Sequence, residues 1–253
     1  MIPLPMMRLD KLISNSGLIP RSQVKRLVRE GRITVNGVIA GDAAMHCDSE
    51  WDIRVDGVKA IWRDSVCLMM NKPVGYLSVT EDPDRATVLD LLSEKYRRCG
   101  LFPAGRLDMD SQGLLILTND GAFCHRVISP KSGIVKEYRI QVSHPFPAGA
   151  ERQFREGIRL DDGSLCLPAE LIPDADRLGA TVRIREGKYH QVKRMALAVG
   201  TRVRSLKRIS IGTLRLDPAL APGEYRELTD EEKRAVEQQS DTNPKVGPVD
   251  DGE

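Results

Sequence analysis

The chain has 253 residues, 41% apolar and 29% charged. That balance fits a globular protein of one large or two smaller domains with no membrane-spanning run. Its opening, MIPLPMMRLDK, has no basic region followed by a long apolar stretch, so no secretory signal is expected. Cys47, Cys67, Cys99, Cys124 and Cys166 are scattered without a CxxC spacing. This is a reduced, cytoplasmic pattern that offers no metal site. The net charge of +2 conceals two basic blocks and an acidic tail. Residues 7–36 hold seven Lys or Arg against two acidic residues, and residues 186–208 hold seven against Glu186 alone. Residues 227–253 hold nine acidic residues against three basic ones. Such basic blocks release counter-ions when they neutralise phosphates, so nucleic acid is the expected partner.

Residues 7–60 read as a small module. Leu9, Leu12 and Ile13 fall at helical spacing, and Val24, Leu27 and Val28 repeat it in a second helix. Pro20 starts this second helix and Gly31 follows its end. Lys25, Arg26 and Arg29 lie off its apolar stripe and should face solvent. Next, Arg32-Ile33-Thr34-Val35, the turn Asn36-Gly37 and Val38-Ile39 form a hairpin signal. Two helices, a hairpin and a basic surface suit a platform for an RNA backbone.

A break follows near residues 61–64, and strand-like runs then alternate with helices over residues 64–235. Residues 66–70 read as a buried strand and 71–76 as a loop. Residues 87–97 read as a helix, 114–117 as a strand, and 122–128 as a helix stopped by Pro130. Strands are predicted over 136–142, 170–172 and 180–185, with a helix over 191–199. Without regular βαβ repetition this pattern predicts an α+β fold. Residues 238–253 are polar and core-free and read as a disordered acidic tail.

The most informative segment is GRLDMDSQGLLILTNDG, residues 105–121. Asp108 sits at the entrance to an apolar strand, where a charge is costly unless paired or used. Asp108 and Asp110 at i and i+2 raise glycosidase-type chemistry, but the aromatic content of 4% is poor for a sugar cleft. DMDSQG begins like a calcium loop and fails at its twelfth position, Asn119. Cys124-His125 carries no nucleophile signature and reads as a core cysteine beside a surface histidine. EGKYHQVKRM, residues 186–195, turns at Gly187 into a helix whose first turns carry His190, Lys193 and Arg194. A lysine near a helix start gains nothing from the helix dipole, so a carboxylate such as Asp108 would be a fitting partner.

MNKPVGY at 70–76, GRLDMDSQGLL at 105–115, KEY at 136–138 and EGKYHQVKRM occur in this order. Together they resemble the RsuA-type pseudouridine synthases, which isomerise uridines in ribosomal RNA. The resemblance spans roughly residues 7–235. HQVKRM and IGTLRLDPALAPGEYRELT are closer to the small-subunit branch than to its large-subunit relatives. The N-terminal part is similar to the alpha-L RNA-binding motif shared with a ribosomal protein and tyrosyl-tRNA synthetases. The implied fold is that module followed by a mixed, mainly antiparallel-sheet catalytic domain.

The resemblance implies that Asp108 is the catalytic aspartate, Tyr138 the aromatic that stacks on the uracil, and Lys193 the cation paired with the aspartate. It implies that Arg106 contacts the RNA near the flipped nucleotide. Further RNA contacts are expected from Arg8, Lys11, Arg21, Lys25, Arg26, Arg29, His190 and Arg194. Ser111 stands where Thr is common in the family. The implied reaction breaks the bond to nitrogen 1 of uracil and rejoins the base through carbon 5. Substrate and product are isomers, so no cofactor is expected. The expected partner is ribosomal RNA, naked or in an assembling subunit, bound by a cytoplasmic monomer with no membrane attachment. The rivals are a synthase of large-subunit RNA and a non-catalytic RNA-binding assembly protein.

Overall fold

The computed structural model describes residues 6–61 and 65–238; the predicted tail lies almost wholly outside the described residues. One buried apolar cluster draws on residues between Leu9 and Ala60, and two others on residues between Val66 and Val236. In the first, helices Leu9–Asn15 and Arg21–Arg29 pack Leu9, Leu12 and Ile13 with Val24, Leu27 and Val28. They lie with a four-stranded antiparallel sheet in the order Val38–Ile39, Ile33–Val35, Ile53–Val55, Val58–Lys59. The predicted hairpin is present, with positive φ at Asn36 and Gly37. Asp56 and Gly57 repeat that turn geometry in a second hairpin that sequence reading missed. Among the described residues, hydrogen bonds from Asn119 Nδ2 to Asn15 Oδ1 (3.1 Å) and from Arg98 Nη1 to the Leu18 carbonyl (3.3 Å) tie this part to the rest.

Residues 65–238 build a mixed sheet. Its main path runs Glu170–Pro173, Gly179–Ile184, Lys136–Val142, Val203–Ile211, Gln112–Thr118, Cys67–Lys72, Tyr225–Glu227. Every pairing is antiparallel except one, between Val203–Ile211 and Gln112–Thr118. Helices and an antiparallel-dominated sheet make the domain α+β, as the sequence predicts. Among the described residues no helix is long and apolar enough to cross a membrane.

Three departures from the sequence reading matter. The helix predicted over 87–97 is broken into a 3-10 turn, Val88–Leu91, and a short helix, Glu94–Arg97. Thr87 and Asp90 cap the first turn reciprocally, and Leu92 is extended. Arg97 then takes the freed carbonyls of Leu92 and Asp90, which removes the need to continue the helix. Second, Asn71 and Lys72 belong to the strand Cys67–Lys72 and not to a loop, because pairing with Gln112–Thr118 extends to Lys72 opposite Gly113. Third, Val203–Ile211 is a nine-residue strand that its basic residues concealed. A bulge between its Arg208 and Ser210 partners breaks the two-residue alternation that would have marked it.

The parallel pair fixes the strand that follows Asp108. Gly113 has φ +105° and sits so close to Arg208 that an added Cβ would lie 2.2 Å from the Arg208 carbonyl oxygen. Only glycine permits that approach. The segment before it is gripped from below by Lys72, which is fully buried. Its ammonium donates to the carbonyls of Pro73 (2.9 Å), Asp108 (3.0 Å) and Ser111 (2.9 Å). Burial pushes the Lys72 ammonium down to about 8, against the pull of Asp108 and Asp110. It therefore remains mostly charged at neutral pH.

Gly113→Ala should cost about 3 kcal/mol through backbone strain and overpacking, a drop in Tm of roughly 6–12 °C. A thermal melt within about 2 °C of wild type would contradict this reading. Lys72→Met leaves three carbonyls without their donor, each costing about 1–3 kcal/mol if it stays buried and unpaired. Hydrogen exchange should quicken at the amides of Ser111 and its neighbours before the rest of the sheet opens. Uniform exchange across the sheet would show that Lys72 does not hold this loop.

Candidate active site

Asp108 leaves its loop just before the strand Gln112–Thr118, and a turn bond from the Ser111 amide to the Asp108 carbonyl (3.0 Å) closes the bend. Its carboxylate is 31% exposed and meets two groups from residues 190–193. Lys193 Nζ lies 2.7 Å from Oδ2, and His190 Nε2 lies 3.5 Å from Oδ1. Lys193 is on the helix Gln191–Ala198, and His190 is its N-cap with a left-handed φ of 49°. Such a conformation is uncommon for a residue other than glycine and frequent at functional sites. It places the imidazole at the carboxylate and stacks it on the exposed ring of Tyr189, with centroids 3.8 Å apart.

Tyr138 comes from a third region, the strand Lys136–Val142, and is buried. Asp108, Tyr138 and Lys193 line one cavity of about 400 Å³, together with Arg106, Lys136 and Arg208. The cavity thus unites Asp108 with Lys193, 85 positions away, and Arg106 with Arg208, 102 positions away. Its volume is in the range that accepts a small organic group such as a nucleoside. His190 and Gln191 stand at the same wall.

Lys193 does more than the sequence reading assigned to it. It also meets Asp110 Oδ1 at 2.5 Å, so Asp110 belongs to the same cluster. Burial draws the Lys193 ammonium down, but bonds to Asp108 and Asp110 outweigh it and hold the group above its ordinary value. Burial raises the Asp110 carboxyl, and Lys193 outweighs that in turn, holding it below the usual carboxylate range. One ammonium therefore serves two carboxylates, and the cluster keeps a net negative charge.

The expected RNA contacts divide into two groups. Lys11, Lys25 and Arg29 are exposed, with no ion pair among the described residues. Arg106 is also exposed, at the cavity edge. Arg8 and Arg21 instead close on Asp10, which is buried beneath them. Arg194 is held by Asp161 and Asp162, and Arg26 lies 3.7 Å from Glu30. Lys136, which lines the cavity, and two further residues of the site escaped sequence reading. Lys72 was hidden in a stretch that looked like a Pro-Gly loop. Arg208 was hidden in a basic block, although it is buried and bonds the Leu114 carbonyl through Nε (2.7 Å). A lysine at the end of an apolar run, CLMMNK, was the available signal for Lys72.

The RNA pseudouridylate synthase family model matches residues 66–198, and the S4 domain model matches residues 7–50. The chain is 43% identical over 235 residues to ribosomal small subunit pseudouridine synthase A of Yersinia pestis, covering 91% of this chain and 98% of that one. The Escherichia coli K12 protein of the same name is 41% identical over 91% of this chain and all of its own length. An uncharacterised RNA pseudouridine synthase of Bacillus subtilis is 46% identical over 89% of this chain and 96% of its own. A crystal structure of a pseudouridylate synthase matches with a TM-score of 0.64 at 34% identity, covering 91% of this chain and 99% of that chain. The chain belongs to the RNA pseudouridylate synthase family and carries an S4 domain ahead of its synthase domain.

Proposed function

We propose that this protein converts one uridine of small-subunit ribosomal RNA to pseudouridine, with Asp108 as the catalytic carboxylate. The observation that carries this reading is the Asp108–Lys193 pair, set in a cavity whose wall includes Tyr138. Relatives that are 41–43% identical over almost their whole length bear the name of a small-subunit synthase, which favours that substrate. The S4 domain, residues 7–60 on our reading, contributes Lys11, Lys25 and Arg29 to the RNA backbone, and residues 64–235 carry the chemistry. On this reading the protein acts as a monomer, since one chain supplies the whole cluster, and it works in the cytoplasm. Its RNA is either free or in an assembling subunit, where the uridine is still within reach.

The target base must leave its stack, at a cost of a few kcal/mol. Stacking on Tyr138 returns about 1–3 kcal/mol, and phosphate contacts along the basic face supply more. Asp108 meets the flipped nucleotide as an anion whose position is fixed by Lys193 on one oxygen and His190 near the other. The buried wall limits water, which would otherwise capture the sugar once its bond to the base is broken. The base is then rejoined through carbon 5. No energy source enters, since atoms are only rearranged.

The direct test is incubation with 16S RNA, 23S RNA and small-subunit assembly particles, followed by chemical modification and primer extension. A single new stop in 16S RNA is expected. A stop only in 23S RNA would move the substrate to the large subunit, and released base would indicate a hydrolase. Asp108→Asn should bind RNA within about threefold of wild type yet lose turnover by about 10⁴-fold. Measurable product at a wild-type rate would remove Asp108 from the chemistry. Lys193→Met should slow single-turnover conversion by about 10²-fold with affinity little changed, and Lys193→Arg should recover part of the rate. A loss confined to affinity, with a shallower salt dependence, would make Lys193 a phosphate contact instead.

A further inference from the structure

The cavity wall contains positive charge that no protein group neutralises. Lys136 lines the cavity two residues from Tyr138 on the same strand, and so on the same face. Its ammonium has no hydrogen bond or ion pair among the described residues. Arg208 stands directly opposite Tyr138, because the bulge skips Ile209 in the pairing. It is 4% exposed, and its Nη2 is buried without a partner. Its other nitrogens are used, Nε on the Leu114 carbonyl and Nη1 on that of Arg106 (3.4 Å). The acids nearby are already engaged. Asp108 is held by Lys193, and Glu186 accepts from the Leu167 amide and from Gln191. Burial, with Arg208 adding to it, pushes the Lys136 ammonium down to about 8.

A strand bound at the cavity mouth would keep its phosphates at the rim, where Arg106 is exposed. Only the flipped base points inward. Uracil is neutral in the strand, but it does not stay so. When the bond from nitrogen 1 to the ribose breaks, its electron pair remains with the ring and spreads onto the two carbonyl oxygens. Carbon 5 then bonds to the ribose, and the proton lost from carbon 5 balances the one gained at nitrogen 1. Negative charge therefore develops on the oxygens during the reaction, where a fixed cation lowers the barrier most.

We propose that Lys136, with Arg208 beside it, receives a carbonyl oxygen of the uracil and holds the detached base between cleavage and rejoining. This assignment rests on the synthase reading above. It gives a half-buried lysine with no partner among the described residues, and the buried Nη2 of Arg208, a use that stability does not, since an uncompensated charge of this kind normally destabilises a fold.

The test uses full-length Lys136→Met and Lys136→Arg in single-turnover assays on an RNA carrying the mapped uridine. The same RNA is also made with 2-thiouridine or 4-thiouridine at that position, because sulfur accepts hydrogen bonds poorly. Lys136→Met should be slower by about 10²-fold, with RNA affinity within about threefold and Tm equal to or above wild type. Lys136→Arg should regain part of the rate. One of the two thio substitutions should slow wild type and leave Lys136→Met unaffected, the non-additivity expected of two groups in contact. Additive effects, or an unchanged Lys136→Met rate, would overturn the assignment. So would a loss of affinity with a salt slope lowered by about 1, which would mark a phosphate contact. A lowered Tm in step with the rate would mark a structural lysine. Wild type that isomerises no uridine would defeat the synthase reading itself, and is distinguishable because no variant is then needed.

Discussion

The site depends on a buried ammonium ion that has no carboxylate bonded to it. Lys72 is fully buried and bonds three main-chain carbonyls, two of them from the segment that presents Asp108. Desolvating an ammonium costs several kcal/mol, and three charge-assisted bonds at about 1.5–3 kcal/mol each offset that on the same scale. The balance is close to even, so Lys72 is poorly explained as a source of stability. Its effect is on geometry. A carbonyl clamp leaves the Asp108 carboxylate unoccupied by the clamp itself, whereas a direct Lys72–Asp108 ion pair would consume the group the reaction needs.

Sheet topology provides the second constraint. A single parallel pairing in an otherwise antiparallel sheet brings Gly113 against Arg208. The guanidinium of Arg208 then reaches the carbonyls of Arg106 and Leu114, on either side of the Asp108 loop. One residue of bulge in Val203–Ile211 sets which side chain faces Tyr138. Without it Ile209 would stand opposite Tyr138, and the wall would lose its buried cation. Register and loop position are therefore one problem. The same strand that lets the loop approach also supplies charge to the cavity.

These features explain what was legible in the sequence. Asp108, Tyr138 and Lys193 were legible through the family resemblance of the motifs that hold them, and it is that resemblance, not spacing alone, that implied their joint placement in one site. The helices of the N-terminal module and the Asn36-Gly37 hairpin were visible because periodicity and turn chemistry are local. Lys72 was not visible, since its role depends on carbonyls 36 and 39 residues away. Arg208 was read only as a member of a basic block, for charge in sequence carries no information about burial. The strand around it was missed because the bulge spoils the alternation that identifies strands. Arg8, Arg21 and Arg194 illustrate the converse: they looked like free cations, yet acids distant or near in sequence engage them.

Lys193 shows why the cation beside the aspartate is suited to be a lysine. A guanidinium would lie flat against one carboxylate in a bidentate pair. An ammonium is a compact charge with three donors, and here it meets Asp108 at 2.7 Å and Asp110 at 2.5 Å. Asp110 is largely exposed, with 75% of its side chain open, and Asp108 is turned inward. The exposed carboxylate thus shares the hold on Lys193 with the inward one. Attraction between Asp108 and Lys193 is diluted by that sharing, and the cluster of two acids and one ammonium stays anionic. A carboxylate that is oriented but not fully neutralised can still act on a sugar or a base. The positive counterpart, on Lys136 and Arg208, lines the same cavity beside Tyr138. A ring held in that cavity would meet both an anion and cations, the polarity that breaking its bond to ribose creates.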